Sequence, residues 1–414
     1  MSKLHKLLNL GERSVVWFYN VNEEQYWNKD KFFPSINDPF QIELAKQQEQ
    51  QLLILAQEGD SVIMKNPPDN DFLIYLMQRG FKMPKLIFLN KDNTIPWGEM
   101  DNEKEIFLPF IVTKHLYDLA HKQGFHIYGA EYKHVKLINN KLFTRKLAIY
   151  HNFNVTKGYF CESINELYDS YNKLCLMGFE KVVIKIPYGS SGKGIKIIRN
   201  AKEFKQLVKY IQKRNTTFEI LIEGWYSNAR SINAQLLIAS NKVHLLNINE
   251  QIIDSAGVYL GTNFNLTHSS SVIENYKKEI FRIGQILNEM EYEGVLGIDS
   301  IIDEKGNIYP IIEINARLTQ VTYLLDLVNK FSHDYSFIES RYIRIESDNE
   351  IKFKEVYVLL NDTLKPDEDN KFLIYVFAKA KVKDKYISRM FLLFYGNSKE
   401  KIKNMIKEFM NLKV

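Results

Sequence analysis

Two stretches, Gly297-Ile298-Asp299-Ser300-Ile301-Ile302 and Ile311-Ile312-Glu313-Ile314-Asn315-Ala316-Arg317, decide how this chain is read. Each sets acidic or amide side chains inside an apolar run. Between them lies Asp303-Glu304-Lys305-Gly306-Asn307, a turn sequence, so residues 295–302 and 308–314 read as the arms of a hairpin. Glu313 and Asn315 alternate with apolar neighbours and therefore share one face. Asp299, Glu313 and Asn315 together offer hard oxygen ligands that suit Mg²⁺. A lone carboxylate among Ile and Val is costly, and a cation would remove that cost. The competing reading pairs Asp299 and Glu313 with Arg317 or with backbone caps.

Upstream stands Lys185-Ile186-Pro187-Tyr188-Gly189-Ser190-Ser191-Gly192-Lys193-Gly194-Ile195. Backbone N–H groups of such a turn, with a lysine nearby, can cradle phosphate oxygens. A Walker A loop requires Ser or Thr after Gly-Lys, but Gly194 stands there, and its first glycine would fall on Pro187. A nucleophile elbow fails because Lys193 occupies a required glycine position. What remains is a loop between two strands, residues 182–186 and 195–198, which either covers nucleotide phosphates or is an ordinary hairpin turn.

The N-terminal part alternates apolar runs (residues 14–19, 61–64 and 85–89) with helical patterns (41–58, 71–79 and 113–123), the signature of a parallel α/β sheet. The middle mixes strands at 151–159, 220–223 and 231–239 with helices at 163–179, 200–214, 274–291 and 318–331. Ser163 with Glu166, and Asn200 with Glu203, mark helix starts. The last part reads as strands at 355–360, 372–378 and 391–395 closed by a helix at 398–412. Trp17, Trp27 and Trp97 are core candidates.

Length and composition restrict the rest. The 414 residues are 45% hydrophobic and 25% charged, which is globular composition and excludes disordered, collagen-like and simple coiled-coil chains. A net charge of +5, spread along the chain, lacks the clustered basic patch of a nucleic-acid binder. The two cysteines, Cys161 and Cys175, form no C-x-x-C pair, fall where buried apolar residues would suit, and fit a reducing cytoplasm. No apolar run approaches membrane-spanning length.

In order along the chain, these features resemble the ATP-grasp superfamily of carboxylate ligases over roughly residues 126–335. Asn140-Lys141-Leu142-Phe143-Thr144-Arg145-Lys146 is similar to the first phosphate-contacting segment, with Lys141 as its match. Val183-Ile184-Lys185 and its loop match the lysine near the adenine and α-phosphate. Ile220-Leu221-Ile222-Glu223-Gly224-Trp225 resembles the hinge that holds adenine through backbone groups. Asp299, Glu313 and Asn315 match the magnesium ligands, and Arg317 the arginine that follows them. The resemblance implies a pre-ATP-grasp α/β domain at 1–125, an ATP-grasp domain at 126–340 and a small α+β module at 341–414. Residues 250–261 and the closing module resemble pheganomycin-type peptide ligases. A related branch, as in butirosin biosynthesis, loads an amino acid onto a carrier-protein thiol.

The resemblance implies ATP held by Lys141, Lys185, Glu223, Trp225 and the loop residues Gly189, Ser190, Ser191, Gly192 and Lys193. It implies Mg²⁺ on Asp299, Glu313 and Asn315. A substrate carboxylate, from an amino acid or peptide, becomes an acyl phosphate, and an amine then displaces phosphate. Lys185 and Arg317 are the catalytic candidates, and Arg230 and Arg317 the substrate contacts. The alternatives are transfer to an acyl or peptidyl carrier protein, a small-molecule kinase and a non-catalytic nucleotide sensor. A homodimer is compatible with all of these. Two departures stand out. Gly297 occupies the place where some amino-acid ligases carry an arginine. The ribose-binding acid is unassigned in the region of Asn228, Arg230 and Ser231. His268 reads as a structural or surface residue.

Overall fold

The computed structural model describes residues 3–21, 23–28, 39–189, 194–214, 217–254, 257–382 and 384–412. The strands fall into three sheets. The first is parallel, ordered β3-β2-β1-β4, from β1 (Ser14–Phe18), β2 (Ser61–Met64), β3 (Lys85–Phe88) and β4 (Glu105–Pro109). Its apolar strands are covered by helices, and Trp17 is wholly buried, whereas Trp27 and Trp97 only pack against the core. The second sheet is antiparallel, ordered β5-β8-β6-β7, from β5 (Gly158–Cys161), β6 (Val182–Lys185), β7 (Ile195–Ile198) and β8 (Ile220–Gly224). β6 and β7 pair directly, so the glycine-rich segment joins the arms of a hairpin.

The third sheet takes all remaining strands: β9 (Arg230–Ala239), β10 (Lys242–Ile253), β11 (Tyr259–Asn263), β12 (Gly294–Ile302), β13 (Ile308–Asn315), β14 (Phe337–Ser347), β15 (Asn370–Val382) and β16 (Lys385–Gly396). Their order is β13-β12-β9-β10-β11-β14-β16-β15. The last three strands thus continue the sheet that carries Asp299, through pairing of β11 with β14. β15 lies at the edge, yet three of its backbone N–H groups are capped by side chains. Ile374 N donates to Tyr75 Oη at 2.9 Å, Phe377 N to Gln50 Oε1 at 2.9 Å and Lys379 N to Gln47 Oε1 at 2.7 Å.

Several expected elements differ. Residues 355–360, expected as a strand from their β-branched and aromatic content, lie in the helix Phe353–Leu364. Phe353, Val356, Leu360 and Leu364 recur at helical spacing and are buried, while Val358 is exposed, so the buried stripe outweighs propensity. The helix expected at 41–58 is broken into Pro39–Lys46, a 3-10 segment Gln47–Gln51 and Leu52–Leu55. Within it Gln47 and Gln50 are committed to β15. Residues 318–331 give only a short 3-10 turn at Thr322–Leu324 and the helix Leu325–Phe331. The strand expected at 151–159 begins at Gly158. Cys161 is buried, but Cys175 is exposed. The capping residues behave as expected: Ser163 Oγ accepts from Glu166 N at 3.2 Å and Asn200 Oδ1 from Glu203 N at 3.0 Å. Among the described residues, no helix is long and apolar enough to cross a membrane.

Glu49, in the 3-10 segment, is buried and accepts from Lys65 N at 2.9 Å, with the Lys65 charge a minor opposing influence. Burial pushes its carboxyl up to about 8, against the opposing backbone hydrogen bonds. Its folded pKa lies above its unfolded one, so the fold binds the extra proton. Stability from this group therefore falls as pH rises from about 4.3 toward 8. Glu49→Gln keeps the accepting oxygen and removes the titration. Its melting temperature is expected to exceed that of the wild type by a few degrees at pH 8, with a much smaller gain at pH 5. Equal gains at both values would contradict the assignment.

Candidate active site

The helix Lys141–Tyr150 starts where Asn140 Oδ1 accepts from Leu142 N at 2.9 Å, which fixes Lys141 at the first turn. Lys141 is buried, and its Nζ lies 3.0 Å from Glu313 Oε1 and donates to Gly189 O at 2.7 Å. One side chain thus ties the base of the glycine-rich segment to the hairpin of the third sheet. Gly189 takes a φ of +144°, and a Cβ at Gly194 would sit 3.0 Å from Gly189 O, so both ends of the loop need glycine. Ser190, Ser191, Gly192 and Lys193 lie outside the described residues.

Lys185 ends β6 and faces Glu223 of β8, with Nζ 2.5 Å from Glu223 Oε2. Lys185 also donates to Ile312 O at 3.3 Å. Arg145 Nη1 lies 2.9 Å from Glu223 Oε1 and 3.0 Å from Thr156 Oγ1. Burial alone would raise the Glu223 carboxyl, but Lys185 and then Arg145 hold it below its ordinary range. The acid expected only as part of a hinge is therefore the buried counter-ion of two cations. Gly224 N and Trp225 N already donate, to Lys157 O and Lys181 O, each at 2.9 Å.

Asp299 and Glu313 are register partners on β12 and β13, and Asp299 is also opposite Asn233 on β9. Asp299 Oδ1 accepts from Asn233 Nδ2 at 2.7 Å and Gln251 Nε2 at 2.8 Å, and Oδ2 from Asn315 Nδ2 at 3.0 Å. Even so, burial and then the Glu313 charge push its carboxyl up to about 6. Asn315 Oδ1 accepts from Arg317 Nη2 at 2.6 Å. Arg317 Nε reaches Glu24 Oε2 at 3.2 Å, and its guanidinium carbon lies 5.1 Å from the Phe110 ring centre. Lys141, Glu313, Asp299, Asn315 and Arg317 thus form one connected polar cluster.

Arg230 stands apart from that cluster. It is exposed and bonded to Thr267 Oγ1 and, at 3.0 Å, to His268 Nδ1. Thr267 in turn donates to Glu250 Oε1 at 2.8 Å. At Gly297 a Cβ would lie 2.7 Å from Thr319 Cγ2 and 2.8 Å from Gln235 Nε2, so an arginine there would have to displace both. Reading the sequence missed Arg145, Thr156, Asn233, Gln251 and Glu24. Arg145 carried a local signal, an arginine that falls among the buried positions Leu142, Leu147 and Ala148 of its helix.

The chain belongs to the ATP-grasp superfamily, and it is an ADP-forming ATP-grasp ligase whose ATP-grasp domain matches residues 139–321. It is 40% identical to the [butirosin acyl-carrier protein]–L-glutamate ligase of Niallia circulans over 394 residues, 95% of this chain and 93% of the relative. In fold it is similar to the N5-carboxyaminoimidazole synthetase of Staphylococcus aureus (TM-score 0.58, 12% identity, 96% of this chain and 97% of that one). It is also similar to the phosphoribosylamine–glycine ligase of Thermotoga maritima (0.56, 13%, 96% of each). The biotin carboxylase of Campylobacter jejuni gives 0.55, 12%, and 95% and 90% of the two chains.

Proposed function

We propose that this ligase activates an amino acid, with L-glutamate the foremost candidate, and transfers it to the thiol of a carrier protein. The observation that carries the reading is the 40% identity, across nearly the whole chain, to a relative named for that reaction. The amine acceptor expected from the resemblance to peptide ligases gives way to the carrier-protein alternative on that ground.

The polar cluster suits this chemistry. Asp299 is a half-buried carboxylate raised by desolvation and by a second carboxylate, the condition that a hard dication relieves. Among the described residues no group of three His, Cys, Asp or Glu side chains gathers, so the donor set is two carboxylates and the Asn315 amide oxygen. Mg²⁺ held by Asp299, Glu313 and Asn315 would neutralise phosphate charge. Lys141 and Lys185, both buried and both on strand or helix ends facing the hairpin, hold phosphate oxygens. Glu223 holds the Lys185 ammonium in place. The amino-acid carboxylate attacks the γ-phosphorus of ATP, the bond to the β-phosphate oxygen breaks, and ADP leaves. The carrier thiolate then attacks the acyl carbon, phosphate leaves and a thioester forms. Arg317, fixed by Glu24 and Asn315, stabilises charge on the acyl oxygen.

The test is ADP and phosphate release with ATP, Mg²⁺ and a panel of amino acids, followed by the intact mass of an added carrier protein bearing its thiol arm. Glutamate-dependent ADP with a carrier gaining one glutamyl group is expected. AMP and pyrophosphate would overturn the acyl-phosphate route. ADP release with amide products and an unmodified carrier would restore the amine acceptor.

A further inference from the structure

A second group of polar side chains, most of them buried, lies near Arg317. Tyr19 follows the carboxyl end of parallel strand β1, the end at which ligands of parallel sheets bind. Gln51 closes the 3-10 segment Gln47–Gln51, Gln320 and Tyr323 follow Arg317, and Arg389 projects from β16. These come from four separated parts of the chain. Gln51 is 0% exposed, Tyr323 1%, Tyr19 6% and Arg389 7%.

The hydrogen bonding of Gln51, Gln320 and Tyr323 is incomplete. Neither amide atom of Gln51, nor Tyr323 Oη, nor Gln320 Oε1 meets hydrogen-bond geometry with a partner among the described residues. Gln51 and Gln320 nonetheless lie beside the Tyr19 hydroxyl. That hydroxyl reaches Gln48 Oε1 at 3.1 Å, and the Tyr19 and Tyr323 rings meet edge-on at 6.3 Å. Burial drives the Tyr19 hydroxyl upward, and Arg317 and Arg389 are the two cations that oppose it. Such groups are retained in a core at a cost to stability unless something supplies their partners. The set holds many donors: two guanidiniums, two amide N–H₂ groups and two hydroxyls, with Glu24 already on Arg317. A group that answers its donors carries negative charge and several acceptor sites, which describes a carboxylate, while the ammonium of the same amino acid can donate to the free amide oxygens.

We infer that Tyr19, Gln51, Gln320, Tyr323 and Arg389 form the subsite for the carboxylate of the donor amino acid that is not activated. Arg317 bonds Asn315, which bonds Asp299, and its charge also reaches Tyr19 and Tyr323, so a dicarboxylic amino acid that spans it can present one end to each group. The inference rests on the amino-acid donor reading above and deepens it. The neutral amide of glutamine would turn an N–H₂ group toward the guanidiniums, so the subsite discriminates between the two donors.

The experiment compares glutamate with glutamine as donor, following ADP release by wild type, Arg389→Met, Arg389→Lys and the isosteric Gln51→Glu. Arg389→Met is expected to raise KM for glutamate about 30-fold, to move KM for ATP less than about twofold and to narrow the glutamate preference. Arg389→Lys should recover part of that loss. Gln51→Glu should raise KM for glutamate at least about tenfold, with glutamine much less affected. Folded variants that keep the wild-type preference overturn the subsite and leave the glutamate-ligase reading intact. Wild-type protein that prefers a neutral amino acid over glutamate overturns both. Should Arg389→Met fail to fold, the preference of Gln51→Glu decides alone.

Discussion

Asp299→Asn is expected to lower kcat for ADP release by about a thousandfold at saturating ATP and donor. The side chain keeps its size and retains an oxygen for Asn233 and Gln251, so the variant removes the charge and, of the three hydrogen bonds, only the one from Asn315. That charge is held in an unfavourable place: burial and Glu313 push the carboxyl up to about 6, while three amide donors only partly offset them. A fold maintains such a group when the charge is used. The far-ultraviolet spectrum and melting temperature should stay near those of the wild type, which separates chemistry from folding. Activity within tenfold of wild type would remove Asp299 from the site.

Glu223→Leu is expected to destabilise the protein by about 3–5 kcal/mol, because two buried cations lose their shared counter-ion. Lys185→Met should cost less stability, since Arg145 still answers Glu223, yet it should abolish most activity. Denaturant midpoints, with ATP turnover alongside, distinguish the two. The same network sets an acid limit. The folded pKa of Glu223 lies below its unfolded value, so its contribution is complete above about pH 4.3 and is lost as pH falls through the lower folded value. A Glu223→Leu protein as stable as the wild type would mean that the buried triad is not a source of stability.

The readable parts of this chain were those where local sequence and tertiary role agree. The 297–317 hairpin carries its turn, its alternation and its acids in one short stretch, and β12 and β13 pair Asp299 with Glu313 as that alternation implies. The two strands around the glycine-rich segment pair in the same way. β10 was harder to see, because Asn247, Asn249 and Gln251 alternate along it with larger residues in a pattern that mimics a solvent-facing edge. Here that polar row turns inward, with Asn249 buried and Gln251 on Asp299. The Arg317–Glu24 contact joins residues 293 positions apart and left no local trace. Residues 353–364 misled for a different reason: Val356, Tyr357 and Val358 have strand propensity, but their burial follows a helical stripe.

The glutamine row against β15 has a consequence for how the molecule meets its neighbours. An eight-stranded sheet with an open side is a template on which a second chain can add a strand. Gln47, Gln50 and Tyr75 occupy the hydrogen-bonding positions that such a strand would need. Their side chains act as a counterfeit ninth strand, one that cannot be extended. The segment between β1 and β2 is thereby fastened to the third sheet by the same amides that occupy the edge of its longest described strand.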